Sequence, residues 1–455
     1  LAGIDTGANR GLWSSKIGFI LAAAGSAVGL GNIWKYPSVV AENGGAAFII
    51  VYLICCFLVG FPVMVAELTI GRRTGQNPVG AFRALSGGNK FMPLIGAWGI
   101  ICGVMILSFY LVVAGWTLGY VFEEAAYFAG MDGVVASLKD VTLGWKNALF
   151  ALLFLGATIG IIIGGVSGGI EKATKTMMPA LVIILVTMII YVFFQEGANE
   201  GLRVYLYPDF SKINATLIFK AMGQAFFSLS LGMGALITYG SYLNKKQNIP
   251  EAAAYVTLSD IGIAFLAGLL IIPAMYVASN NGIQIFNEDG SLIASTRLVF
   301  DVLPALFHSM GSGIGLFFGL VFFILLGMAA LTSTISLLEV PVSYIIDDWG
   351  WSRKKAAWSV GGFVSFFTVI ISYDINWIDR LSLIFNDIGL PLGGLMICLF
   401  LGWFWKTESA LLEIKEGYSN LDSSKFRTLW PIFITYICPI LIAIVFFMTV
   451  YNVFA

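Results

Sequence analysis

Two short stretches of this chain place hydroxyl and amide side chains beside glycine in otherwise apolar surroundings. In the first, AGSAVGLGN, Ser26 and Asn32 stand among Gly25, Gly29 and Gly31. In the second, GQAFFSLSLGMGA, Gln224, Ser228 and Ser230 precede Gly232 and Gly234. A third group, Thr332, Ser333, Thr334 and Ser336, interrupts another apolar run. Glycine permits a helix to break, and a break frees backbone carbonyls for a hard cation and N–H groups for a carboxylate. Oxygen ligands without Cys or His match Na⁺ rather than a transition metal. A single Ser or Thr in an apolar helix usually bonds back to its own backbone, and small residues often serve helix packing. The clustering at two breaks favours a site.

Ionisable groups inside apolar runs are few, so each is a candidate. Glu67 can accept hydrogen bonds from N–H groups freed at the breaks, a structural role. Asp260 reads either as a cap near the start of its span or as a charge beside the cation site. Glu339 has no assignment from the sequence. Lys35 shares a helix face with Asn32, and Asp379 opens a later span on the same side; they read as an outer gate or as a plain interfacial pair. The lone His308 falls in a loop before the eighth span and reads as structural, because histidine relay or metal chemistry needs further ligands. Asn214-Ala-Thr216 fits a glycosylation triplet.

These groups need a membrane scaffold. The chain has 455 residues, 58% hydrophobic and 11% charged, with mean hydropathy +0.89, too little charge to cover a soluble domain of this length. About eleven runs can cross ~30 Å of hydrocarbon, near 17–38, 45–70, 94–122, 148–166, 174–195, 220–243, 254–279, 312–346, 354–373, 377–405 and 430–454. No polar region remains for a second domain. The net charge of −1 offers no surface for nucleic acid. The five cysteines lie in apolar runs and read as packing residues, and residues 1–15 lack a signal-peptide pattern. With a cytoplasmic N-terminus, 17 Lys and Arg fall inside against 6 outside, which fits the positive-inside bias and leaves the C-terminus outside.

The Gly-interrupted spans are the first and sixth, five apart and so oppositely oriented. This predicts an all-α protein with two inverted five-helix repeats, about 16–195 and 220–405, an extra helix at 430–454, and a midplane site at the breaks.

The stretches AGSAVGLGNIWKYP (24–37), ENGGAAF (42–48), ELTIGRR (67–73), GQAFFSLSLGMGA (223–235) and ALTSTISLLE (330–339) resemble the neurotransmitter:sodium symporter family, with similarity from about Arg10 to Trp430. The resemblance implies a sodium-coupled amino acid symporter in the cell membrane, working by alternating access. It implies one Na⁺ site at Gly25, Val28, Ala329, Thr332 and Ser333, and another at Ala27, Asn32 and Ser228. At the second, Ser259 stands where the family has Asn, so neighbouring Asp260 enters as the substitute. The implied substrate pocket comprises Ser26, Ala27, Gly29, Gly31, Ile106, Tyr110, Phe227, Ser228, Ser230, Met233, Ser333 and Leu337.

Gly29 replaces the Asp of biogenic-amine members, so the substrate should bring its own carboxylate. An uncharged pocket with adaptable Met233 fits neutral apolar side chains. Chloride-dependent members hold the anion near Tyr52, Gln224 and Ser228, with a further Ser that falls near Ile263 here. With that hydroxyl missing and Asp260 at hand, no chloride requirement is expected. The implied gates are Lys35–Asp379 outside and Arg10, Trp13, Tyr242 and Asp347 inside. Gly169 and Pro179 match a motif where span five can unwind. Alternatives are a carrier of betaine or GABA, a non-transporting receptor, and an intramembrane enzyme. The last lacks a nucleophile with a base or a metal centre.

Overall fold

In a computed structural model the described residues run 11–285 and 298–454, and they form helices with no strand. Arg10 of the expected inner gate lies outside them. Among the described residues, nine helices are long and apolar enough to cross a membrane. They are α3 (Ala46–Thr74), α4 (Pro93–Phe128), α5 (Gly144–Ile163), α6 (Val166–Phe193), α9 (Ile249–Asn280), α10 (Ile314–Trp349), α11 (Arg353–Tyr373), α12 (Asn376–Lys415) and α13 (Phe426–Tyr451). A tenth span is the pair α1 (Lys16–Ala27) and α2 (Gly31–Glu42), bent by 52° at its break. The remaining expected span is also split, into α7 (Ala215–Ser228) and α8 (Ala235–Gly240).

Polar caps mark where several helices begin. Ser15 Oγ accepts from Gly18 N at 3.0 Å, Asn214 Oδ1 from Leu217 N at 2.9 Å, and Asn248 Oδ1 from Glu251 N at 3.2 Å. Capping is thus a local reason for Asn at 214, the position of the glycosylation triplet.

The second break follows from backbone sterics. Ser230, Gly232 and Gly234 have φ of 55°, 80° and 78°, a region that only glycine visits at no cost and that no right-handed helix contains. A Cβ on Gly232 would collide with the carbonyl of Leu390 in α12. Glycine therefore serves here both for its φ and for close helix approach.

Buried partners meet the freed N–H groups. Gly232 N donates to Glu67 Oε1 at 2.7 Å, Gly29 N to Asn32 Oδ1 at 3.1 Å and Leu30 N to the Tyr110 hydroxyl at 2.9 Å. An unmet N–H in an apolar interior costs several kcal/mol, so these contacts are what make the breaks tolerable. The two breaks touch directly: Ser230 Oγ donates to Ser26 O at 2.9 Å. α4 and α10 pack along each other beside them, supplying Tyr110 from one and the Thr332–Leu337 stretch from the other.

Candidate functional site

A narrow cavity lies between the breaks, α4 and α10. All twelve residues of the expected pocket line it: Ser26, Ala27, Gly29, Gly31, Ile106, Tyr110, Phe227, Ser228, Ser230, Met233, Ser333 and Leu337. Ser336 also lines it. The sequence pointed to its hydroxyl in the Thr332–Ser336 run without placing it in the pocket; its spacing of three from Ser333 puts it on the same helix face. The lining carries no charged side chain. The two glycines set its shape. A Cβ on Gly31 would meet the Phe227 ring at 2.6 Å, and one on Gly29 would run into Ser333 Oγ and the Tyr110 hydroxyl.

Two oxygen-rich clusters flank the cavity. In the first, Thr332 Oγ1 lies 3.1 Å from Val28 O and 2.9 Å from Ala329 O, and Ser333 Oγ lies 3.4 Å from Ser26 O. Gly25 brings the backbone against Thr332, where an added Cβ would meet the threonine Cβ at 3.3 Å. Carbonyl and hydroxyl oxygens from two helices thus converge, the donor set that a hard monovalent cation takes. Thr334 faces elsewhere, its Oγ1 2.9 Å from Thr158 Oγ1 in α5.

The second cluster centres on Asp260, which is fully buried. Its carboxylate accepts from Asn32 Nδ2 at 2.7 Å, from Ser228 Oγ at 2.9 Å and from the Tyr52 hydroxyl at 3.2 Å. Of the two sequence readings of Asp260, the end-cap is therefore overturned: the residue lies three turns into α9 and faces the first break. Ser259, its neighbour, is only partly buried. Gln224 Nε2 reaches Gly31 O at 3.3 Å. Ile263, one turn after Asp260, is buried and brings no hydroxyl. The carboxylate held among Asn32, Ser228 and Tyr52 is the protein's own.

The expected Lys35–Asp379 pair is corrected by the structure. Lys35 Nζ lies 3.8 Å from Asp387 Oδ1 and 4.8 Å from the Phe227 ring centroid. Asp379 instead lines a separate cavity with Trp116, Tyr120, Lys139 and Phe300. The physical reason is helix phase. Asp387 is eight residues on, about 12 Å along the axis, and residues Ser382–Ile388 form π-helical turns that rotate the later face toward α2.

On the opposite side Trp13 anchors the segment before α1. Its indole donates to Tyr239 O at 3.0 Å, its backbone N to Tyr242 O at 3.3 Å, and its ring packs edge-on against Tyr239 and Tyr242. The Tyr242 hydroxyl donates to Glu339 Oε1 at 2.6 Å, and Arg353 grips Glu339 with two bonds of 2.7 and 2.9 Å. This gives Glu339 the role that the sequence left open. Asp347 Oδ2 accepts from Asn77 N and Nδ2 at 2.8 and 2.9 Å.

Gly169 sits in the π-helical start of α6 (Val166–Glu171) and Pro179 inside the helix that follows, so the segment is wound in this structure. Thr174, between them, faces Gly25. Glu171, which sequence reading missed, accepts from Ser14 N at 2.7 Å and from Ser14 and Ser15 Oγ at 2.5 and 3.0 Å. It thereby ties α6 to the start of α1.

Comparison with known proteins follows the same lines. The family described as "SNF: Sodium:neurotransmitter symporter family" matches residues 10–130 and 131–455. A Bacillus subtilis protein named "Uncharacterized sodium-dependent transporter YhdH" is 34% identical over 458 residues, 95% of this chain and 96% of its own. The rat "Sodium- and chloride-dependent taurine transporter" is 27% identical over 74% of this chain and 60% of its own. The crystal structure of MhsT in complex with L-phenylalanine superposes with a TM-score of 0.84 at 41% identity, covering 97% of this chain and all of that one. The broken helices, oxygen clusters and long apolar spans thus accompany an alignment over nearly the whole length. The chain belongs to the sodium:neurotransmitter symporter family, as a multi-pass membrane transporter that uses sodium to carry a small-molecule substrate.

Proposed function

We propose that the chain is a symporter importing neutral, apolar L-amino acids, with branched-chain, aromatic and methionine side chains as substrates. One observation carries this reading: a cavity without charged lining side chains sits between two helix breaks. The breaks suit the charged ends of a zwitterion, and the walls of Ile106, Phe227, Met233 and Leu337 suit an apolar side chain. A charged side chain would be buried there unpaired at large cost. Similarity to a protein crystallised with L-phenylalanine adds support.

Two sodium ions accompany the substrate in this reading. Gly25, Val28, Ala329, Thr332 and Ser333 hold one. Ala27, Asn32, Ser228 and Asp260 hold the other, beside the substrate carboxylate and the Tyr110 hydroxyl. Asp260 supplies the negative charge that would otherwise come from chloride, so transport proceeds without that anion.

The spans before and after Phe210 form two inverted repeats, about 16–195 and 220–405, with 430–454 appended. The N-terminus is cytoplasmic and the C-terminus extracellular. Sodium favours the outward-open state, and substrate allows Phe227 and Tyr110 to close over it beneath Lys35 and Asp387. Release of the inner network of Arg10, Trp13, Tyr242 and Asp347, with unwinding of α6 near Gly169 and Pro179, opens the inner path. Ligands drive this cycle only through unequal affinity for the states.

The test is a competition screen on sodium-driven uptake by purified protein in liposomes. Leucine, phenylalanine, tryptophan and methionine should compete. Betaine, GABA or taurine competing more strongly would refute the substrate assignment.

A further inference from the structure

The far end of α4 from Pro93 carries two adjacent carboxylates, Glu123 and Glu124, both fully buried. They face His308, in the short helix Leu303–Ser309 that precedes α10. His308 Nε2 lies 3.9 Å from Glu123 Oε1 and 3.3 Å from Glu124 Oε2, and one ligand atom from each residue falls within 4.8 Å of the other two. Among the described residues, none of the four carboxylate oxygens accepts a hydrogen bond, and His308 Nε2 has none. Lys139 Nζ stands 3.1 Å from Glu123 Oε1. A Cβ on Gly319 of α10 would lie 2.5 Å from Glu124 Oε2, so the space for that carboxylate depends on glycine.

Among the described residues, two buried carboxylates face one lysine and one imidazole, a costly arrangement that a bound cation would relieve. A proton on His308 would answer one lone pair. A divalent ion would answer both carboxylates and the imidazole together. We propose that Glu123, Glu124 and His308 form a site for a divalent cation of the Zn²⁺ class, joining α4 to the helix before α10.

The spacing decides the class. Tetrahedral ligands at ~2.0–2.1 Å from zinc stand about 3.3 Å apart, against 3.3 and 3.9 Å here. Calcium asks for six to eight oxygens, more than three residues backed by aromatic rings provide. Imidazole beside carboxylate suits zinc better than magnesium. The imidazole is already oriented: its ring stacks on Tyr127 with centroids 3.4 Å apart and planes within 5°, and Phe128 meets it edge-on at 5.7 Å. These two ring contacts hold the imidazole with Nε2 toward the carboxylates. Neither carboxylate belongs to the sodium or substrate clusters.

The test is metal binding, with no reliance on transport. Purified protein is stripped with a chelator and titrated with Zn²⁺ against a chromogenic competitor, at constant sodium. One equivalent per chain is expected, with at least tenfold weaker binding in His308→Ala and Glu124→Gln. Lys139→Met, which removes the competing ammonium, should bind at least as tightly as the parent. Should Glu124→Gln fail to elute as folded protein, His308→Ala decides alone, since His308 lies at the edge of the cluster. Wild type and His308→Ala binding Zn²⁺ equally, no saturable binding, or a preference for Ca²⁺ or Mg²⁺ would each overturn the proposal.

Discussion

Asn32 Nδ2 stands 2.7 Å from Asp260 Oδ1, fastening the first helix break to the middle of α9. The amide donates to the carboxylate while its own oxygen receives Gly29 N. One side chain therefore holds the break's backbone and the Asp260 carboxylate in register. Removing that charge has a defined consequence. Asp260→Asn should slow uptake in gluconate and recover in chloride, because an anion can then sit among Tyr52, Ser228 and Gln224. Uptake measured in both salts checks this, and equal rates in the two would contradict it.

Thr332→Ala removes one hydroxyl from the oxygens around Val28 and Ala329 without touching the cavity wall. The half-saturating sodium concentration should rise about tenfold, corresponding to roughly 1.5 kcal/mol for one hydrogen-bond-strength contact to a charged group. Substrate affinity at saturating sodium should change little. A sodium titration of uptake separates the two effects.

Gly31→Ala places a methyl against the Phe227 ring. Overpacking of this kind costs about 1–3 kcal/mol, and here it falls on the cavity wall. Substrate affinity should drop, more for tryptophan than for valine, while the melting temperature shifts only slightly. Binding of both amino acids to the variant, with a thermal melt, provides the comparison.

Breaking the Glu339–Arg353 pair should destabilise the fold rather than the site. Leaving one buried charge unpartnered costs about 3–5 kcal/mol, so Arg353→Met should lower the melting temperature markedly. Glu339→Leu added to it should restore much of the loss. A thermal-shift series on the three proteins tests this, and additive losses would count against a coupled pair.

Much of this arrangement was legible in the chain itself. Clustered glycines among hydroxyls located both breaks, because few other residue types tolerate the φ of Gly232 and Gly234. Glu67 was legible as a partner for freed N–H groups, since a carboxylate amid apolar residues needs donors. Asp387 was not, because π-helical turns at Ser382–Ile388 shift the helix face and period counting assumes 3.6 residues per turn. Glu339 and Arg353 lie fourteen residues apart across a helix end, a pairing that tertiary packing alone establishes. Glu171 was hidden for the same reason: its donors, Ser14 and Ser15, come from the far end of the repeat.

In the proposed cycle a cation and an amino acid share the space between the broken helices. Equilibrium binding of radiolabelled L-leucine to the purified chain, with Na⁺ exchanged for K⁺ or choline, addresses this without any transport step. Saturable binding in sodium, near zero in the other cations and unchanged when gluconate replaces chloride, is the predicted result. Binding of equal strength in all three cations, or none in sodium, would contradict it.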